Sequence, residues 1–209
     1  MIKICVADNQ PVVVQGIKSY FNDHSTIHIM ANANDLESLN SVLQTKPIDI
    51  VLLEFELKGI SSIRDIKTLL KEYPTTKFIL FTAVSEKMYA PTAIKAGVSA
   101  YILKNITLAE LENAIIKVYQ GVIIFSETVR KNIDILSKGK KSDRLFKKLS
   151  TREIEVLRYL NEGKKNKEIA EILGLDEKTI STYKLRLLAK LNVTNLVDLL
   201  SKAKSLDVI

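Results

Sequence analysis

The first half of the chain alternates short apolar runs with stretches of helical period. "IKICVA" (2–7), "IHIMANA" (27–33), "IDIVLLEF" (48–55), "KFILFTAV" (77–84) and "AYILK" (100–104) are nearly continuous in apolar residues. Runs of this kind suit strands of a parallel sheet that is covered on both faces. Between them, apolar positions recur at helical spacing over residues 11–22, 35–45, 61–73, 86–96 and 107–119. Pro11 fits the first turn of its helix, where the missing N–H is not needed. Thr107 and Glu110 have the spacing of a capping box. Strand and helix in alternation predict a three-layer α/β sandwich, and right-handed crossovers make its sheet doubly wound.

The pattern changes after Gly121. Residues 123–147 are basic and polar and read as a linker, with a short helix near 126–137. Four helices then fit the apolar spacing: 151–162, 166–173, 177–191 and 194–205. Ser150 and Glu153 form a capping box for the first, while Asp176 is expected to cap the third and Thr194 the fourth. The chain therefore divides into an α/β module (1–122), the linker, and an all-α four-helix module (148–209).

Composition narrows the class. With 209 residues and 46% apolar content, a packed core is expected and wholesale disorder is not. No apolar stretch approaches the ~18 residues of a membrane span. Asp8 interrupts the N-terminal apolar run, so no signal peptide is expected and a cytoplasmic protein is. Cys5 is the single cysteine, which excludes an intrachain disulfide and reads as a small buried hydrophobe. His24 and His28 lack the companions of a metal site.

Charge changes the picture more. Residues 1–124 carry 12 Lys+Arg and 12 Asp+Glu, whereas residues 125–209 carry 19 and 12. The whole excess of +7 lies in the last 85 residues. A neutral module joined to a basic one points to a polyanion as the second module's partner.

In an open parallel sheet, ligands gather beyond the carboxyl ends of the strands. Polar residues follow the apolar runs there: Asp8 and Asn9, Glu54, Thr82 and Lys104. Acids, a hydroxyl and an ammonium at one edge suit a cation and a phosphoryl group. They lack the nucleophile–base pair of an enzyme.

With these residues in view, residues 1–122 resemble the receiver domain of two-component response regulators, through "VADNQPVVVQGI", "IVLLEFELKG", "FTA" and "AYILKN". The resemblance implies strand order 2-1-3-4-5. It matches Asp8 and Asn9 to the acidic pair and Glu54 to the phosphoacceptor aspartate. Thr82 then matches the switch hydroxyl, Tyr101 the switch aromatic, and Lys104 the family's lysine.

Two departures matter. Asn9 replaces a carboxylate that binds Mg²⁺ directly, which weakens the metal site at Asp8, so no cofactor is expected. Glu54 carries its carboxylate about 1.5 Å further than Asp would, one bond length. A misplacement of about 1 Å can cost ~10²-fold in rate. The loop also has Lys58 where the family has proline. The expectation is a receiver that does not use ordinary aspartyl phosphorylation, with Glu54 paired to Lys104, accepting from Thr82 and partly mimicking a phosphoryl group. A conventional phosphorylation-responsive regulator and a protein- or ligand-binding adaptor remain the alternatives.

The last module contains "NKEIAEILGLDEKTIS", a helix, a Gly-containing turn and a helix. "TREIEVL…G…NKEIAEILG…KTIS" resembles the LuxR/NarL-type helix-turn-helix domain, and the Ser-Thr-Tyr-Lys run at 181–184 is similar to the BvgA/EvgA group. Double-stranded DNA is then the implied polyanion, at a pseudo-palindromic site bound by a homodimer. Lys165, Asn166, Lys167, Lys178, Thr179, Tyr183, Lys184 and Lys190 are expected near phosphates, and Ser181, Thr182, Leu185 and Arg186 near bases. Leu196, Val197 and Leu200 are expected at the dimer interface. A sensor kinase or another protein partner is implied for the receiver.

Overall fold

Each of the five apolar runs forms a strand in the computed structural model, which describes residues 1–126 and 149–205. The strands are β1 (Ile2–Ala7), β2 (Ile27–Ala33), β3 (Ile50–Leu53), β4 (Lys77–Thr82) and β5 (Ala100–Leu103). All pair in parallel, in the order β2-β1-β3-β4-β5. The helices between and after them are α1 (Pro11–Phe21), α2 (Leu36–Thr45), α3 (Ile63–Glu72), α4 (Glu86–Ala96) and α5 (Leu108–Tyr119). The expected doubly wound sheet is the fold found. β3, β4 and β5 are shorter than the runs that announce them: Glu54 and Phe55, Ala83 and Val84, and Lys104 lie past the last strand residues, and Ile48 and Asp49 precede β3.

Alternation splits the core. Ile4, Val6, Ile50, Leu52, Ile79, Phe81 and Ile102 share one face with Ile17 and Phe21 of α1 and Leu111, Ile115 and Val118 of α5. Cys5, Val51, Leu53, Phe78 and Leu80 alternate to the other face and are equally buried. There α2, α3 and α4 bury Leu39, Ile66, Leu69 and Ala93. Burial pushes the Cys5 thiol up to about 12, as a structural cysteine requires.

The α/β unit does not stop at residue 122. Ile124 forms a parallel bridge with Ala100, its N–H donating to Ser99 O at 3.0 Å and its carbonyl accepting from Tyr101 N at 3.2 Å. Phe125 is buried, and Ser126 Oγ donates to Glu86 Oε1 at 2.7 Å. The chain thus returns to the free edge of β5, and the compact unit runs over Met1–Val129. The expected helix near 126–137 lies outside the described residues, apart from Ser126.

The second unit, Arg130–Ile209, contains α6 (Thr151–Asn161), α7 (Asn166–Leu173), α8 (Glu177–Leu191) and α9 (Leu196–Ser205). Its core joins Ile154, Val156, Leu157 and Leu160 to Ile169, Leu173, Ile180, Leu187, Leu191, Leu199 and Ala203. Gly174 ends α7 in the left-handed region (φ 62°), where glycine is unstrained. The Ser150–Glu153 capping box is present. Asp176 stands at the N-cap of α8 without a side-chain hydrogen bond.

One cap differs from expectation. α9 begins at Leu196, and Asn195, not Thr194, caps it. Its Oδ1 accepts from Asp198 N at 2.9 Å while its Nδ2 donates to Asp198 Oδ2 at 2.7 Å. An amide can do both; a threonine one residue earlier is out of reach.

Candidate functional site: a closed carboxylate pocket and a helix-turn-helix face

The parallel register places the ends of β1, β3, β4 and β5 at one edge. Asp8, Glu54 and Thr82 are buried there. Lys104 Nζ lies 2.7 Å from Asp8 Oδ2 and 2.5 Å from Glu54 Oε2. It also approaches Gln10 Oε1 at 3.4 Å. Desolvation, the largest influence on Lys104, works against its charge. Hydrogen bonds to Asp8 and Glu54 and their charges outweigh it, leaving the ammonium's pKa above its ordinary value.

The remaining carboxylate oxygens are engaged as well. Glu54 Oε1 accepts from the Thr82 hydroxyl and from Glu56 N at 3.1 Å. Asp8 Oδ1 accepts from Gln10 N at 2.8 Å. Asn9 is exposed, and its Nδ2 donates to Glu56 O at 3.3 Å. The described residues hold no group of three or more His, Cys, Asp or Glu side chains placed for a metal. Mg²⁺ wants near-octahedral oxygens, and here each buried carboxylate oxygen meets an internal donor. Chemically, the pocket is one ammonium shared between two carboxylates, a cluster of net charge −1 whose oxygens are all hydrogen-bonded.

From Glu54 the hydrogen bonds continue. Thr82 Oγ1 accepts from Val84 N at 3.2 Å, and Val84 O accepts from the Tyr101 hydroxyl at 3.0 Å. Tyr101 is 3% exposed. Burial first, then Tyr89 and the charges of Glu54, Glu86 and Glu56, hold its phenol well above the ordinary range, so it stays a donor. The backbone N–H of Tyr101 donates to Ile124. An unbroken series therefore links Lys104, Glu54, Thr82, Val84, Tyr101 and Ile124. The side chains of this series at Lys104, Glu54, Thr82 and Tyr101 are legible in the sequence. The two backbone links at Val84 and Ile124, and the approach of Gln10, have no sequence signal.

In the second unit, α8 presents two faces. Ile180, Leu187 and Leu191 are buried. Lys178, Thr182, Leu185, Arg186 and Ala189 are exposed and fall on the opposite side at 3.6 residues per turn. Lys165 and Lys167 are exposed at the start of α7. Asn166 Nδ2 donates to Ser181 Oγ at 3.1 Å, tying α7 to α8. Thr179, Tyr183 and Lys184 are half-buried on the flanks, with the Arg186 guanidinium 5.8 Å from the Tyr183 ring centre.

Lys190 Nζ is held by Glu153 Oε2 at 2.7 Å, a partner that charge alone did not reveal. Burial tends to raise the Glu153 pKa. Hydrogen bonds from Lys190 and Ser150 outweigh it and hold the carboxyl below its ordinary 4.5. On α9, Leu199 and Ala203 face the core, Leu196 and Leu200 are half-buried, and Val197 is 72% exposed.

Known proteins resemble this chain over its length. The profile of response regulator receiver domains matches residues 4–116, and that of bacterial regulatory proteins of the luxR family matches residues 147–203. The Fimbriae Z protein of Salmonella typhimurium is 33% identical over 97% of this chain and 96% of its own. The uncharacterized transcriptional regulatory protein YhcZ of Bacillus subtilis is 32% identical over 93% of this chain and 91% of its own. The RcsB response regulator of Salmonella typhimurium has the same fold, with a TM-score of 0.80, 24% identity and 98% of each chain covered. A structure of RcsB bound to promoter rprA in the presence of phosphomimetic BeF3- gives a TM-score of 0.76 at 24% identity, covering 98% of this chain and 100% of that one.

Proposed function

This chain belongs to the response regulators that join a receiver to a LuxR-type DNA-binding domain, and from that membership we propose that its receiver is set by Glu54 rather than by a phosphorylated aspartate. The family regulates transcription, and its members here are DNA-binding regulators rather than enzymes. The finer reading is a cytoplasmic homodimer that binds a pseudo-palindromic DNA site without a phosphodonor.

The observation that carries it is the hydrogen-bonded series from Lys104 through Glu54 and Thr82 to Tyr101. A phosphoryl group at this position would draw on Lys104 and Thr82 through its oxygens. Glu54 already engages both. The substitute is partial, since a phosphoryl group carries about −1.5 to −2 charge and three acceptor oxygens, against one charge here. The described helices include none long and apolar enough to cross a membrane.

DNA is favoured by the exposed cations Lys165, Lys167, Lys178 and Arg186 on the two helices of the helix-turn-helix. Phosphate contacts of this kind give steep salt dependence, a slope of about −0.9 in log K per contact. The half-buried Leu196 and Leu200 beside exposed Val197 suit pairing of two copies through α9.

Selection from a random duplex pool, with protein never exposed to a phosphodonor, tests the proposal. The expected result is one enriched inverted repeat bound with steep salt dependence. Enrichment that appears only after acetyl phosphate treatment would establish a conventional regulator instead. Binding without any enriched sequence would leave an adaptor.

A further inference from the structure

The outward face of α8 is unusual in what it lacks. Leu185 is 66% exposed, the one leucine among the described residues left largely in solvent. Thr182 and Ala189 stand three residues before it and four after it, so the three side chains form one stripe along the helix. The stripe lies opposite the buried Ile180, Leu187 and Leu191.

The hydroxyl groups nearby do not make it polar. Thr182 Oγ1 donates to Lys178 O at 3.0 Å. Ser181 Oγ donates to Glu177 O at 3.2 Å and accepts from Asn166 Nδ2. Both hydroxyl protons are turned back into the protein. Thr182 is left with its methyl group and a lone pair to offer outward. The stripe is therefore a methyl, an isobutyl group and a methyl, with Lys178 and Arg186 beside it.

Such a stripe has no proton to donate to a base, and the one lone pair it keeps at Thr182 leaves most of a base edge unpaired. Set against the edge of a G·C pair, it would bury polar groups without partners, which is unfavourable. Of the base edges in the major groove, only thymine presents a methyl group. We infer that Leu185, with Thr182 beside it, reads thymine C5-methyl groups, so that each half-site is selected for thymine beneath this stripe. The inference rests on the DNA-binding reading and adds the chemistry of the base contact.

The test uses the full chain and its selected duplex, replacing thymine by deoxyuridine one position at a time. That change removes the methyl and leaves the pairing edge intact. At one or two positions per half-site, wild type is expected to lose about fourfold in affinity for each methyl, the worth of one buried methylene-sized group. In Leu185→Ala the same replacements are expected to cost nothing further, while the salt slope of binding stays as in wild type.

A wild-type protein indifferent to deoxyuridine at every position overturns the inference. So does an equal deoxyuridine penalty in wild type and Leu185→Ala. In either case sequence-specific binding itself would stand. Failure to select any site would instead remove both this inference and the DNA-binding reading.

Discussion

At the scale of single residues, Lys104 is the keystone of the pocket. Its single positive charge is shared by Asp8 and Glu54, both nearly buried. Lys104→Met would leave two carboxylates facing each other without a cation. Removing one partner of a buried pair typically costs about 3–5 kcal/mol. Urea unfolding followed by circular dichroism should show a loss of about 3 kcal/mol in the receiver transition. An unchanged midpoint would mean the pocket is solvated and the pair inconsequential. Cys5 provides a simpler check. Buried and with its thiol pushed up to about 12, it should resist alkylation by iodoacetamide until denaturant is added. Labelling of the native protein would contradict the burial.

At the scale of elements, two positions invite tests. Gly59 follows β3 at φ +91°, and a Cβ there would meet Leu36 Cβ at 2.8 Å. Gly59→Ala should therefore strain the loop and lower the receiver's melting temperature, by several degrees for a loss of 1–2 kcal/mol. The second is the Lys190–Glu153 contact between α8 and α6. Glu153 titrates below its unfolded value of about 4.5. Its stabilising effect is thus complete above that pH and lost as pH falls through the lower folded value. Lys190→Met removes the partner, so the helical unit should unfold at a higher pH during acid titration. An identical acid midpoint would contradict it.

Much of this element structure was legible, and the exceptions have physical causes. The strands were readable because both faces of the sheet are covered, which leaves apolar runs without polar interruptions. The start of α9 is ambiguous in sequence because Thr194 and Asn195 are both capping types, and only the reciprocal bonds to Asp198 decide between them. Pairing of Ile124 with β5 was hidden because "VIIF" after Gly121 has no periodicity to mark it. In the site, Glu54, Thr82 and Lys104 were found by their place at strand ends. The links through Val84 and Ile124 run through backbone groups, which every residue carries. Lys190 was assigned by charge alone, which does not reveal that Glu153 holds it.

At the scale of the whole molecule, a neutral receiver is joined to a basic DNA-binding unit. Inside the receiver, one hydrogen-bonded series runs from the carboxylate pocket to the edge of β5, where the chain leaves towards the second unit. On the proposed reading, a charge fixed at position 54 bears through this series on Tyr101 and on the bridge at Ile124. The central claim is that Glu54 does this without phosphorylation. It is tested most directly by footprinting untreated wild type, Glu54→Asp and Glu54→Gln on the selected duplex, each with and without acetyl phosphate. The account predicts that wild type binds fully without the donor and gains nothing from it. Glu54→Gln should bind about tenfold more weakly, within the usual range of coupling between sites. Equal binding by all three proteins, or wild-type binding that appears only with acetyl phosphate, would contradict it.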